Sequence, residues 1–99
     1  MLTVDQIKET VASYFKDKPV KSVYLFGSYA RGEAKEDSDV DLGIILQDVR
    51  MGIWQYVGLE AGLEEALNKK IDLVEISLMH SWVKRNFDKE KIEIYHAWN

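Results

Sequence analysis

Two aspartates one residue apart, Asp39 and Asp41, open the apolar run Val40-Asp41-Leu42-Gly43-Ile44-Ile45-Leu46. If that run is a strand, alternate side chains point the same way, so the two carboxylates share one face while Val40 and Leu42 take the other. Carboxylates forced side by side repel each other and are a poor way to hold a sheet together. They make chemical sense with a divalent cation between them. Upstream, Gly27-Ser28 closes another apolar run, Val23-Tyr24-Leu25-Phe26. A glycine-serine turn lets phosphate approach the backbone, whose N–H groups and serine hydroxyl can hold its oxygens. Together these features predict metal-dependent chemistry on a nucleoside triphosphate.

The elements that must position these residues are legible from periodicity. Leu2 to Lys18 reads as a helix with Thr3 and Gln6 in a capping box, an apolar stripe of Ile7, Val11, Tyr14 and Phe15, and Pro19 as its stop. Val20 to Phe26 is a strand apolar without alternation, which suits burial on both faces. Ser28 is placed to cap a short helical turn carrying Arg31, one turn along, whose bland partners are Glu33 and Glu36. Asp39 to Leu46 is the second strand. Its connector is too short for a full βαβ crossover, so the two strands pair antiparallel. Gly43 marks a place where the substrate or a neighbouring chain comes close. Gln47 to Arg50 is a turn.

Met51 to Lys69 forms a long helix with Leu59, Leu63 and Leu67 at four-residue spacing, and Ile53, Trp54 and Val57 widen its apolar face. Gly58 and Gly62 would let it lie close against the sheet. Ile71 to Ile76 is a third strand, in which Asp72 is the odd residue, in phase with Val74 and Ile76. A carboxylate entering a core needs a partner, and a capping or lysine-paired aspartate is one reading of it. Ser77 is placed to cap a last helix with Leu78, Trp82, Val83 and Phe87 at helical spacing. The tail alternates, with Ile92, Ile94 and His96 on one face and Glu93, Tyr95 and Ala97 on the other, as an edge strand or docking segment. His80 and His96 lack metal-ligand spacing and read as structural or surface residues.

Gly27-Ser28, Ala30-Arg31-Gly32 and Ser38-Asp39-Val40-Asp41-Leu42, in that order and spacing, resemble the signature of the minimal nucleotidyltransferases of the DNA polymerase beta superfamily. Within that superfamily the chain resembles the antitoxin-like group that is paired with a small helical toxin. The resemblance covers the length and element order of the whole chain. It implies an α/β fold, a small mixed sheet with helices packed against it. It also implies that Asp72 is the third site carboxylate, and that Asp39, Asp41 and Asp72 hold two Mg²⁺ ions and carry catalysis. Gly27 and Ser28 would then grip the triphosphate of ATP, with Arg31 near it. The implied reaction is transfer of AMP to a hydroxyl of a partner protein, a tyrosine of the toxin. The alternatives are transfer to a small molecule such as an antibiotic, and a non-catalytic antitoxin that acts by contact.

At 99 residues the chain reads as one domain with a modest core and little room for an acceptor pocket. A partner protein or a second copy would supply the missing surface, and Trp82, Tyr95 and Trp98 are the aromatic candidates for that contact. With no cysteine, disulfide scaffolds, zinc-thiolate sites and thiol nucleophiles are excluded. A net charge of −4 argues against an extended nucleic-acid partner. No run approaches the about 18 apolar residues of a membrane span, and MLTVDQIKET is no signal peptide, so the expected location is the cytoplasm.

Overall fold

A computed structural model describes residues 1–47 and 51–97. Four strands, β1 (Val20–Phe26), β2 (Val40–Leu46), β3 (Ile71–Glu75) and β4 (Ile92–His96), form one mixed sheet in the order β3-β2-β1-β4. The helices are α1 (Val4–Phe15), α2 (Gly27–Arg31), α3 (Ile53–Leu67) and α4 (Ser81–Glu90), with a 3₁₀ turn at Ile76–Leu78. β1 pairs antiparallel with β2 and β4, and β2 pairs parallel with β3 through the α3 crossover. This is the α/β architecture expected from the sequence, with the tail resolved as an edge strand. Of the expected turn at 47–50, residues 48–50 lie outside the described residues.

Alternation along β2 divides the sheet into two faces. Val40, Leu42 and Ile44 are fully buried on the face covered by α1 and α3, where they meet Ile7, Val11, Phe15, Leu59 and Leu63. Helix α1 starts as expected, with the Thr3 hydroxyl accepting from the Gln6 N–H at 3.1 Å and the Gln6 side chain accepting from the Thr3 N–H at 2.8 Å. It ends at Phe15, one turn short of the expected boundary. At the end of α3, Asn68 takes the left-handed conformation at φ 52° and closes the helix on the Glu64 and Glu65 carbonyls.

Several expectations fail at the ends of α3. Leu59, Leu63 and Leu67 are buried, but Ile53, Trp54 and Val57 are exposed, Trp54 by 84%. Periodicity identifies a shared helix face, not how far the neighbouring surface extends beneath it. Gly58 stands open, and Gly62 faces the Tyr14 hydroxyl of α1 rather than the sheet. Beyond β3, Ser77 lies within the 3₁₀ turn and caps nothing, and α4 starts at Ser81 after His80. In β4 the expected alternation is broken by a bulge. Val23 pairs with Tyr95 but Tyr24 with Glu93, so Ile94 is the extra residue. Ile94 is buried, and Tyr95 packs on the same core, its hydroxyl donating to the Phe15 carbonyl at 3.3 Å.

The outer edge of β3 is fastened to α3. The N–H groups of Ile71 and Leu73 donate to Glu64 and Glu60 at 3.0 and 3.3 Å, and the Tyr56 hydroxyl donates to the Leu73 carbonyl at 2.6 Å.

Candidate active site

The opposite face of the sheet carries Phe26, Asp41, Gly43 and Asp72. Helix α4 crosses part of it, with the buried Phe87 ring edge-on to Tyr24 and Phe26 at centroid distances of 5.9 and 5.2 Å. A side chain at Gly43 would meet the Phe87 ring at 2.9 Å, so the close approach expected at this glycine is made by α4. Beside this covered zone the face opens at the carboxylates.

In the parallel register of β2 and β3, Asp41 lies directly opposite Asp72, just as Leu42 lies opposite Leu73 on the core face. Neighbouring strands stand about 4.8 Å apart, so the two carboxylates project side by side. Asp72 is exposed, not entering the core as the sequence reading had it, and no lysine or cap pairs with it among the described residues. Asp39 is also exposed and stands one residue before β2 rather than within it. Asp41 is half-buried. Burial first, then the negative charges of Asp72 and Asp39, push its pKa up to about 6, while Arg31 pulls the other way. The like-charge strain inferred from the Asp-x-Asp spacing is thus present, and a third carboxylate contributes to it.

Gly27 forms the floor beside Asp41. It has φ +74°, and a Cβ placed on it would stand 2.1 Å from the Asp41 Oδ2. Both the left-handed backbone and the space therefore require glycine. Helix α2 begins at Gly27 with Phe26 at its N-cap, so Ser28 sits in the first turn instead of capping it. Its hydroxyl makes no hydrogen bond among the described residues. Ser28 and Arg31 share one side of α2, and Tyr29 is buried on the other with its hydroxyl unpartnered.

Arg31 is held at both ends of its guanidinium. Nε donates to Glu33 at 2.8 Å and Nη1 donates to Glu90 of α4 at 2.7 Å. Glu33 was an expected partner, whereas Glu36 instead lies 3.8 Å from the N-terminal amine. Glu90 was missed, because a contact across 59 residues leaves no trace in local spacing. His80 stacks on the exposed Trp82, and His96 hydrogen-bonds Ser22 at 3.0 Å, in keeping with surface and structural roles.

Asp39, Asp41 and Asp72 offer the hard oxygen donors that suit Mg²⁺. Among the described residues no group of three or more His, Cys, Asp or Glu side chains is arranged so as to hold a metal ion. Asp39 and Asp72 are solvent-exposed, while burial and then the neighbouring negative charges raise the pKa of Asp41.

Paired carboxylates on adjacent strands thus stand beside a glycine turn that opens a short helix. Residues 4–95 match the family model described as the nucleotidyltransferase domain, and the chain belongs to that family and is a nucleotidyltransferase. It is similar to the protein adenylyltransferase MntA of Thermococcus cleftensis, 33% identical over 98 residues, covering 95% of this chain and 98% of the relative. Two solved structures share its fold. A toxin–antitoxin complex with AMP-PNP aligns with a TM-score of 0.78 at 20% identity, over 91% of this chain and 73% of the other. A complex of a tri-AMPylated Shewanella oneidensis HEPN toxin with its MNT antitoxin aligns with a TM-score of 0.71 at 17% identity, over 94% and 72%. No helix among the described residues is long and apolar enough to cross a membrane.

Proposed function

We propose that this chain transfers AMP from ATP to a hydroxyl of a partner protein, a tyrosine of a helical toxin, and acts as that toxin's antitoxin. The observation that carries the reading is the register of Asp41 against Asp72, with the Gly27 backbone pressed against the Asp41 carboxylate. The name of the Thermococcus relative and the AMPylated toxin bound by the Shewanella antitoxin support the choice of acceptor.

Asp39, Asp41 and Asp72 would hold Mg²⁺, which when bound neutralises the triphosphate and favours an ionised acceptor hydroxyl. Gly27 leaves room for phosphate at the backbone, and Ser28 offers it a hydroxyl donor. Asp72, exposed on the open face of the sheet, accepts the acceptor's proton. The acceptor oxygen bonds to the α-phosphorus, the bond to the bridging oxygen breaks, and pyrophosphate leaves. Most of the gain comes from positioning and charge neutralisation.

Leu78 in the 3₁₀ turn and Trp82 in the first turn of α4 are exposed, as is Trp54 on α3, and these are the contact candidates. Tyr95 is committed to α1 and drops out of that role, and Trp98 lies outside the described residues. The test is co-expression with the genomic neighbour, followed by intact-mass measurement of the neighbour. Each AMP adds about 329 Da, and the addition vanishes with Asp41→Asn or Asp72→Asn. A neighbour bound but unmodified would favour an antitoxin acting by contact. A neighbour neither bound nor modified would favour a small-molecule acceptor.

A further inference from the structure

We infer that Glu90 is a positioning residue of the triphosphate site, acting through Arg31. This rests on the nucleotide reading of the Gly27–Arg31 turn and adds to it a residue from the far end of the chain. Arg31 shares its side of α2 with Ser28, next to Asp41, and its positive charge opposes the rise in the Asp41 pKa. Glu33 and Glu90 together occupy Nε and one position on Nη1. Nη2 makes no hydrogen bond among the described residues, so its two N–H groups stay available to an anion. A guanidinium is planar, and two carboxylates bonded to different nitrogens fix both its place and its plane.

The two carboxylates differ. The Glu33 side chain is 65% exposed and comes from the adjoining loop, as a surface pair does. The Glu90 side chain is 16% exposed and comes from α4, which is itself anchored by Phe87 over Gly43. A sheltered negative charge close enough to help raise the pKa of Asp41 works against binding a triphosphate, unless its role is to hold the arginine that meets it. Helix α4 thereby ties the geometry of the phosphate site to the tertiary packing of the C-terminal quarter.

The test is a double-mutant cycle on the full chain, reading MgATP affinity by NMR titration up to millimolar nucleotide, with thermal melts alongside. Arg31→Ala should weaken MgATP about tenfold, the scale of a charge-assisted hydrogen bond. Glu90→Ala should weaken it severalfold alone and not at all in the Arg31→Ala background. Glu90→Gln, which keeps an acceptor oxygen, should recover part of the loss. A lowered melting temperature with unchanged MgATP affinity in Glu90→Ala would reduce Glu90 to a fastener of α4 and overturn the inference. So would tighter binding, or an equal loss in both backgrounds. Unchanged affinity in Arg31→Ala, with Asp41→Asn still impaired, would remove the phosphate role of Arg31 while sparing the nucleotide site. Absence of MgATP binding in the unaltered chain would sink the nucleotide reading itself.

Discussion

Strand β2 presents two surfaces built on opposite principles. On one, Val40, Leu42 and Ile44 are wholly removed from water beneath α1 and α3. On the other, Asp39 and Asp41 lead to Gly43, with α4 crossing only beyond the carboxylates. The first surface gains stability from every methylene it buries. The second holds like charges together at a cost to stability, and the register set by the first keeps them there. A slip of one residue in β3 against β2 would turn Leu73 outward and Asp72 into the core, and so the dry face enforces the wet one.

Substitutions on the two faces should therefore move stability in opposite directions. Leu42→Ala, in the dry layer, is expected to cost about 2–5 kcal/mol in denaturant unfolding. If it and Asp41→Asn shift stability the same way, the division fails. Gly27→Ala comes next. It forces a left-handed alanine, at about 1–2 kcal/mol, and drives a methyl group into the Asp41 carboxylate. Circular dichroism should show the fold retained at a lower melting temperature, with MgATP binding lost.

For Asp41→Asn the sign reverses. In the folded chain this carboxyl titrates near 6 rather than at the ordinary 3.8, so the folded state holds the proton more tightly than the unfolded one. Its contribution is therefore most favourable below about pH 4 and is lost as pH rises through about 6. In chelator, the Asn variant should be more stable than the parent above pH 6, by about 1 kcal/mol after allowance for solvent screening, and the gap should close toward pH 4. Metal-dependent nucleotide binding by the parent should weaken as pH falls through the same range, since ligation needs the carboxylate. The smallest effect is expected for Tyr29→Phe. It removes a buried hydroxyl that has no partner, and melts should show no loss and a gain of up to about 1 kcal/mol.

What was legible from the chain follows the same division. β1 is legible as a continuous apolar run, its antiparallel pairing with β2 from a connector too short for a crossover, and the placing of Asp41 opposite to Val40 and Leu42 from alternation, which backbone geometry imposes. Asp72 was visible as a carboxylate out of place in an apolar strand, although only the family resemblance assigned it to the site. Features made by tertiary contact were not legible. Phe87 over Gly43 and Glu90 on Arg31 join distant segments, and spacing within either segment is silent about them. The bulge at Ile94 defeated the alternation of β4, because one extra residue resets the phase. Ile53 and Trp54 continue the apolar pattern of α3 but are left uncovered.

The fringe that α3 lays along β3 has a bearing on how other chains can approach. Glu60, Glu64 and Tyr56 already occupy the outward N–H groups of Ile71 and Leu73 and the Leu73 carbonyl, on either side of Asp72. An incoming segment cannot recruit these groups to extend the sheet, so β-augmentation is blocked along this stretch of the margin. On the proposed function, an acceptor protein would reach Asp72 from above the sheet, side chain first, which is the direction an acceptor hydroxyl needs. The same fringe protects the acidic margin against runaway strand stacking between copies, and leaves β4 as the margin where such growth would have to begin.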